Sequence, residues 1–286
     1  MLIVGCGYVG LPLGSRLAEA GHEVFGLRRS GAVGAGGERS RVQPLQGDIT
    51  RPDTLAGLPR GYDWVVHCVS ASGGGPAEYR AVYLDGTRNL LDWLSTAPPR
   101  RFVYTSSTSV YGQTDGSVVT ETSPTEPATE TGRILLATER LLLEAAGFPA
   151  VILRLAGIYG PGRGYWFKQY LSGEARIEGN GSRRLNMIHR EDVIGAIMAA
   201  LERGEPGGIY NVVDNEPVSQ LELFEWLSKK LGRPLPPFAP ENAERAAKRG
   251  TTNKDVSNSR LVGALGYGLR FPTFREGWEG TWSVER

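Results

Sequence analysis

Leu2-Ile3-Val4-Gly5-Cys6-Gly7-Tyr8-Val9-Gly10 is the stretch on which the fold of this chain turns. Three consecutive apolar residues run into a G-x-G-x-x-G turn, after which Leu11, Leu13, Leu17 and Ala18 recur at three- and four-residue spacing up to Gly21. The first run reads as a buried strand and the second as an amphipathic helix. A glycine turn between the two is the arrangement that receives the pyrophosphate of a dinucleotide. Gly5 permits the tight turn, Gly7 lets phosphate approach the backbone, and Gly10 lets the helix pack close to the strand. The helix N-terminus adds unpaired N–H groups and the positive end of its dipole. Cys6, Tyr8 and Val9 belong to the same turn and are expected to line the cofactor with it.

Beyond this turn, strands are predicted over Glu23–Leu27, Arg41–Gln46, Trp64–Ser70 and Arg101–Ser106, with a helix between Ala77 and Leu94. Strands separated by helices of this length form right-handed βαβ units and a parallel sheet, in the order 3-2-1-4-5. The fold class is therefore α/β, a doubly wound parallel-sheet Rossmann fold. The end of the second strand selects the dinucleotide. An NAD site places an acid there for the ribose 2′-hydroxyl, whereas this chain has Arg28, followed by Arg29 and Ser30. A guanidinium at that point suits a 2′-phosphate, so the expected cofactor is NADP (NADPH). The competing reading is a solvated Arg pair on a loop. Asp48, after the third strand, is expected to meet the adenine amino group, with Ile49 packed on the ring.

Composition limits the partners. Lys and Arg number 32 against 31 Asp and Glu, so no single-signed field exists to attract nucleic acid or an anionic membrane. No apolar run reaches the roughly 18–20 residues that span a bilayer, and the start of the chain lacks a basic leader. Cys6 and Cys68, the two cysteines, make no disulfide framework. They are expected at adjacent carboxyl ends of strands one and four, packed beside the dinucleotide or serving a redox role. A cytoplasmic protein with reduced thiols is expected. His22, His67 and His189 show no metal-ligand spacing, and no metal is implied. Gly31–Gly37 and Gly73-Gly74-Gly75 read as loops, and Arg233–Pro240, with four prolines, as a connector that cannot be helical.

Further motifs come in order: Gly47-Asp48, His67–Ala71, Gly86-Thr87-Arg88-Asn89-Leu90-Leu91, Thr105–Gly112, Arg154–Arg163, Asn186–Val193, Gly208–Val212, Ser257–Leu261 and Pro272–Gly277. Together with the glycine turn they resemble the extended short-chain dehydrogenase/reductase superfamily, the epimerase and dehydratase branch, in its atypical members. The resemblance implies an NADP-binding Rossmann domain over 1–156. It also implies a small C-terminal substrate-binding lobe over 157–286, some segments of which return to the first domain. It extends the expected cofactor set to Val69, Ser70, Ala71 and Leu155. For the substrate it implies Arg133, Arg163, Arg184 and Asn186, with Arg183-Arg184 either holding an anion or forming a solvated strand face. A small-molecule substrate is expected, and a homodimer by analogy.

The resemblance breaks at the catalytic residues. Relatives that transfer hydride use a Ser or Thr, a Tyr, and a Lys four residues beyond the Tyr. The Ser falls on Ser107, but Thr131 stands for the Tyr and Leu135 for the Lys, while Tyr83 replaces a usual Asn. The phenols left to act as acid are Tyr111, the first choice, and Tyr159, with Asp85 or Arg133 able to contribute charge. Glu121 reads as a loop-ordering residue. Two functions are compatible with this pattern. One is an NADP-dependent oxidoreductase or epimerase/dehydratase-like enzyme acting on a hydroxyl or carbonyl of a small metabolite, sugar nucleotides included. The other is a non-catalytic NADP-binding regulator or sensor.

Overall fold

The structure is a computed structural model that describes residues 1–30, 41–240 and 252–282; the Gly31–Gly37 loop lies outside the described residues. Along the chain come β1 (Leu2–Val4), α1 (Gly10–Glu19), β2 (Phe25–Arg28), β3 (Gln43–Gln46), β4 (Trp64–His67), α2 (Gly75–Tyr79), α3 (Gly86–Leu94) and β5 (Arg101–Ser107). Next are β6 (Val118–Val119), α4 (Glu130–Glu144), β7 (Ala150–Leu155), β8 (Gly157–Tyr159), α5 (Tyr165–Leu171), β9 (Arg184–Leu185), β10 (Met187–His189) and α6 (Arg190–Arg203). The last are β11 (Ile209–Val212), β12 (Val218–Ser219), α7 (Gln220–Leu231), β13 (Asp255–Val256), α8 (Ser259–Gly263) and α9 (Phe274–Trp282). Between α2 and α3, Arg80–Asp85 form a π-helical turn, so the helix expected over this region is one rod with a local change of pitch.

Two compact units emerge. The first comprises Met1–Val110, Thr129–Arg154 and Ile194–Tyr210, the second Tyr111–Ala128, Leu155–Val193 and Asn211–Arg286. Tyr111–Ala128 falls in the second unit and Ile194–Tyr210 in the first.

A seven-stranded sheet, β11-β7-β5-β4-β1-β2-β3, organises the first unit. β1 pairs in parallel with β2 and β4, which matches the expected order. Its register aligns Val4 with Leu27 and His67, and His67 in turn with Tyr104. The segments that leave these strands therefore gather on one edge of the sheet, the carboxyl edge where ligands bind in open α/β sheets. β1 is apolar throughout because both its faces are covered, and Leu2, Ile3 and Val4 are buried. Leu90, Leu94, Phe102, Leu142 and Ile152 complete the core on one side. At the far edge, β3 pairs only with β2 among the described residues. Gln43 N–H donates to Val24 O and Gly47 N–H to Arg28 O, so alternate donors face inward and the nitrogen of Pro44 faces out.

The second unit has its own core, in which Tyr159, Phe167, Ile177, Phe224, Phe274 and Trp278 pack together. α7 carries a capping box, with Ser219 and Glu222 satisfying each other's backbone N–H groups, and ends on Gly232 at φ +62°. The connector over Arg233–Pro240 is non-helical, as expected.

Candidate active site

The glycine turn has the form that its sequence implied. Gly5 has φ +99°, and a Cβ there would lie 2.6 Å from Val69 N. A Cβ on Gly10 would lie 2.4 Å from Gly5 O, so the start of α1 can sit against the turn only without a side chain. Gly7 differs, because nothing lies within 4 Å of its missing Cβ. That open space beside the backbone is what a pyrophosphate requires. No side chain caps α1 and no acid occupies its first turn, which leaves its positive end to an anionic ligand. These residues fit a dinucleotide. Cys6 is buried, and burial pushes its thiol up to about 11, while the nearby Arg28 guanidinium opposes that shift. Cys68 donates to Gly5 O at 3.3 Å and burial raises its thiol as well, so both cysteines are packing thiols at neutral pH.

Arg28 ends β2, is half-buried, and lies close enough to Cys6 to affect it, beside the glycine turn. Arg29 and Ser30 are exposed. Asp48 shapes its own loop, accepting at Oδ1 from Thr50 N at 2.9 Å and from Thr50 Oγ1 at 2.8 Å. Ile49 is buried against Gly86, and its carbonyl accepts from Asn89 Nδ2 at 2.7 Å. The Asp48–Ile49 loop is thereby seated on α3. Val69 and Ala71 are half-buried after β4, Ser70 is exposed, and Leu155 is a buried residue at the end of β7.

Ser107 stands at the carboxyl end of β5, partly exposed, with its Oγ accepting from Ser109 N at 3.2 Å. Thr131 lies in the first turn of α4, whose N-cap is Thr129, and Leu135 is buried at 5% exposure. No phenol or lysine occupies that turn. Beneath it, Glu139 and Arg154 form an ion pair at 2.7 Å, both at most 3% exposed, and Ser106 Oγ donates to the same carboxylate at 2.5 Å. Asp85 is half-buried and paired with Arg88 at 3.1 Å. Arg133 is exposed on α4.

Four expectations are corrected here. Tyr111 is 0% exposed, and its hydroxyl donates to Asn211 Oδ1 at 2.8 Å inside the second unit. A phenol sealed in a core reaches no substrate, so Tyr111 is structural. Tyr159 is equally enclosed, stacked on Trp278 at 4.9 Å with its hydroxyl directed to Thr273 O, and burial raises it well above the ordinary phenol range. Arg184 spends its guanidinium on Asp255 at 2.7 Å and Pro217 O at 2.5 Å. Asn186 donates to Lys254 O at 2.9 Å and accepts from Val256 N at 2.8 Å. Both fasten β13 and its approach, which gives each a structural role. Arg163 is exposed in the loop before α5. Glu121 orders its loop by accepting from Asn211 N at 2.8 Å.

Sequence reasoning missed three groups. The Glu139–Arg154 pair was signalled by an Arg inside the apolar run Val151–Leu155. Lys254, 5% exposed, donates to Tyr111 O at 3.0 Å, and burial draws its ammonium down to about 8; nothing near it in sequence signals that. Tyr83, noted as a departure from Asn, brings its hydroxyl to 3.4 Å from Ala71 N on the sheet's carboxyl edge. Among the described residues, no cluster of three or more His, Cys, Asp or Glu is placed to hold a metal, and no helix is long and apolar enough to cross a membrane.

The comparisons with known proteins agree with this fold. Protein YeeZ of Escherichia coli (strain K12) is 32% identical over 280 residues, covering 94% of this chain and 95% of its own. A 3 beta-hydroxysteroid dehydrogenase/Delta 5-->4-isomerase of Mycobacterium tuberculosis (strain CDC 1551 / Oshkosh) is 30% identical over 259 residues, 81% of this chain and 69% of its own. The structure of an NAD-dependent epimerase/dehydratase, so described, from Methylobacillus flagellatus superposes with a TM-score of 0.78 at 35% identity, covering 100% of this chain and 98% of that one. The model of the NAD dependent epimerase/dehydratase family matches residues 1–213, glycine turn and sheet included. With its glycine cradle, parallel sheet and Ser107 at the carboxyl edge, the chain belongs to the NAD dependent epimerase/dehydratase family.

Proposed function

We propose that the protein is an NADP-dependent oxidoreductase or epimerase/dehydratase-like enzyme that acts on a hydroxyl or carbonyl of a small metabolite, with sugar nucleotides among the candidate class. The observation that carries the choice of cofactor is Arg28, at the end of β2 beside the glycine turn, where an acid would be needed for an unphosphorylated ribose. In this reading Gly5, Gly7 and Gly10 hold the pyrophosphate against the start of α1, and Arg28, helped by Arg29 and Ser30, holds the 2′-phosphate. Bound there, the nicotinamide supplies or accepts hydride. Ser107 directs its hydroxyl to the substrate oxygen whose protonation changes. The protein is taken to be cytoplasmic and, by analogy, a homodimer.

A charge-assisted hydrogen bond contributes about 1.5–3 kcal/mol, or roughly 10–100-fold in affinity. Calorimetric titration of the purified protein is expected to show NADPH binding tighter than NADH by that factor, with Arg28→Glu removing the preference. Equal affinity for the two in the unmodified protein would sink the assignment. A second reading, a non-catalytic NADP-binding regulator, is favoured by Thr131 and Leu135 in α4. NADPH binding with no oxidation by any of a broad panel of carbonyls is its expected signature.

A further inference from the structure

Hydride addition to a carbonyl leaves charge on oxygen that a positioned acid must neutralise. The first turn of α4 holds no phenol or lysine, only Glu130, Thr131 and Arg133 beside Gly132, and Tyr104, Tyr111 and Tyr159 are all at most 2% exposed. Tyr83 is different. It is partly exposed, and its hydroxyl lies 3.4 Å from the amide of Ala71, four residues past the end of β4. β4 and β5 are neighbours in register, so Ala71 and Ser107 extend from the same edge of the sheet. We propose, on the reading given above, that Tyr83 is the proton-transferring phenol of this enzyme, moved from α4 to the π-helical turn that packs against α4.

The turn is built to hold that residue. Gly86 N–H donates to Ala81 O, five residues back, which is the π spacing. Thr87 Oγ1 donates to the Tyr83 carbonyl and is itself 2.9 Å from His67 Nε2 on β4. A threonine bonded to the carbonyl four residues back bends a helix, and here the sheet anchors the bend. A Cβ on Gly86 would meet Ile49 at 2.9 Å, so the Asp48–Ile49 loop closes on the turn. The Tyr79 ring packs against the Tyr83 ring in a tilted arrangement, with centroids 5.0 Å apart. The phenol is thus held through its carbonyl and its ring, while its hydroxyl reaches the edge where Ser107 stands. Burial pulls His67 down to about 3, so the anchor stays neutral throughout the working range.

The step balances. As the carbonyl carbon gains hydride from the reduced nicotinamide dinucleotide, the C=O π pair moves to oxygen. The Tyr83 O–H bond breaks and its proton goes to that oxygen, after which the phenolate regains a proton from solvent. Oxidation runs the same transfers in reverse.

The test is a tyrosinate absorbance titration of the full chain from about pH 7 to about pH 11, with and without saturating NADP+. A phenol beside the oxidised nicotinamide ionises early, because an adjacent positive charge favours its charged form. One early-ionising phenol is expected in the NADP+-bound protein, absent from Tyr83→Phe and retained in Tyr79→Phe. Both variants should bind NADP+ within about twofold of the parent protein, since each keeps its ring; this is about 0.4 kcal/mol at most. With any carbonyl that is turned over, Tyr83→Phe should lower kcat by about 10²–10⁴. Persistence of the early phenol in Tyr83→Phe, or its absence from the NADP+-bound parent, would overturn the role of Tyr83 alone. Failure of the parent protein to bind NADP+ would overturn the cofactor reading, and this role with it.

Discussion

Asp214 shows what enclosure does to a single carboxyl group. It is 1% exposed, with Oδ1 accepting from Glu216 N at 3.2 Å. Burial pushes it up to about 8, and the charges of Glu216, Asp192 and Glu276 act in the same direction. An acid whose pKa is higher in the folded than in the unfolded chain contributes stability below its unfolded value, about 4, and loses that contribution as pH rises through the folded one. Asp214→Asn keeps the acceptor and removes the titration. Between about pH 4 and pH 8 the variant is expected to gain on the parent protein by an amount on the order of a few kcal/mol. Urea unfolding at intervals across that range measures the gain, and parallel curves would exclude it. Residue identity made Arg28 and Ser107 legible as candidates, because strand ends fix their positions. The enclosure of Tyr111 was not legible because the partner of its hydroxyl, Asn211, lies a hundred residues away, which spacing along the chain does not encode.

Among the elements, α4 is tied to β7 by the Glu139–Arg154 pair, into which Ser106 of β5 also donates. Three neighbouring elements thus converge on one carboxylate directly under the residue before Ser107. Breaking a buried pair leaves an uncompensated charge and costs about 3–5 kcal/mol. Glu139→Ala is therefore expected to be destabilised by that amount in chemical unfolding. Replacing both partners with apolar residues should restore much of the loss. The helices and the central strands were readable because α1 has a 3.6-residue period and β1 none at all, each reporting how many faces are covered. The π-helical turn was not readable. It coincides with a hydrogen bond from Thr87 to the Tyr83 carbonyl and with the contact of Thr87 to His67 on β4, a long-range neighbour that the local pattern does not reveal.

Across the whole molecule, the first unit is assembled from three separate segments of chain. Its second segment ends at Arg154, and Ile194–Tyr210, most of α6 and half of β11, completes it. β7, with all six residues buried, takes β11 as its outer neighbour. A fragment ending at residue 156 would leave the edge of β7 unpaired and its apolar side chains in water. We expect that fragment to be insoluble or partly unfolded by circular dichroism, whereas a version with 194–210 fused after residue 154 should recover structure. A soluble, cooperatively melting 1–156 fragment would show that β11 is dispensable.

The opposite border of the sheet carries a safeguard. An outermost strand is a template on which another polypeptide can add itself, one hydrogen bond at a time. On β3 the ring nitrogen of Pro44 sits on the outward side, where such an addition would need a proton to share. Among the described residues β3 has no outer neighbour, so the missing donor takes no hydrogen bond from the sheet. Two molecules meeting side by side at this border find the zipper missing a tooth, which disfavours their association through it.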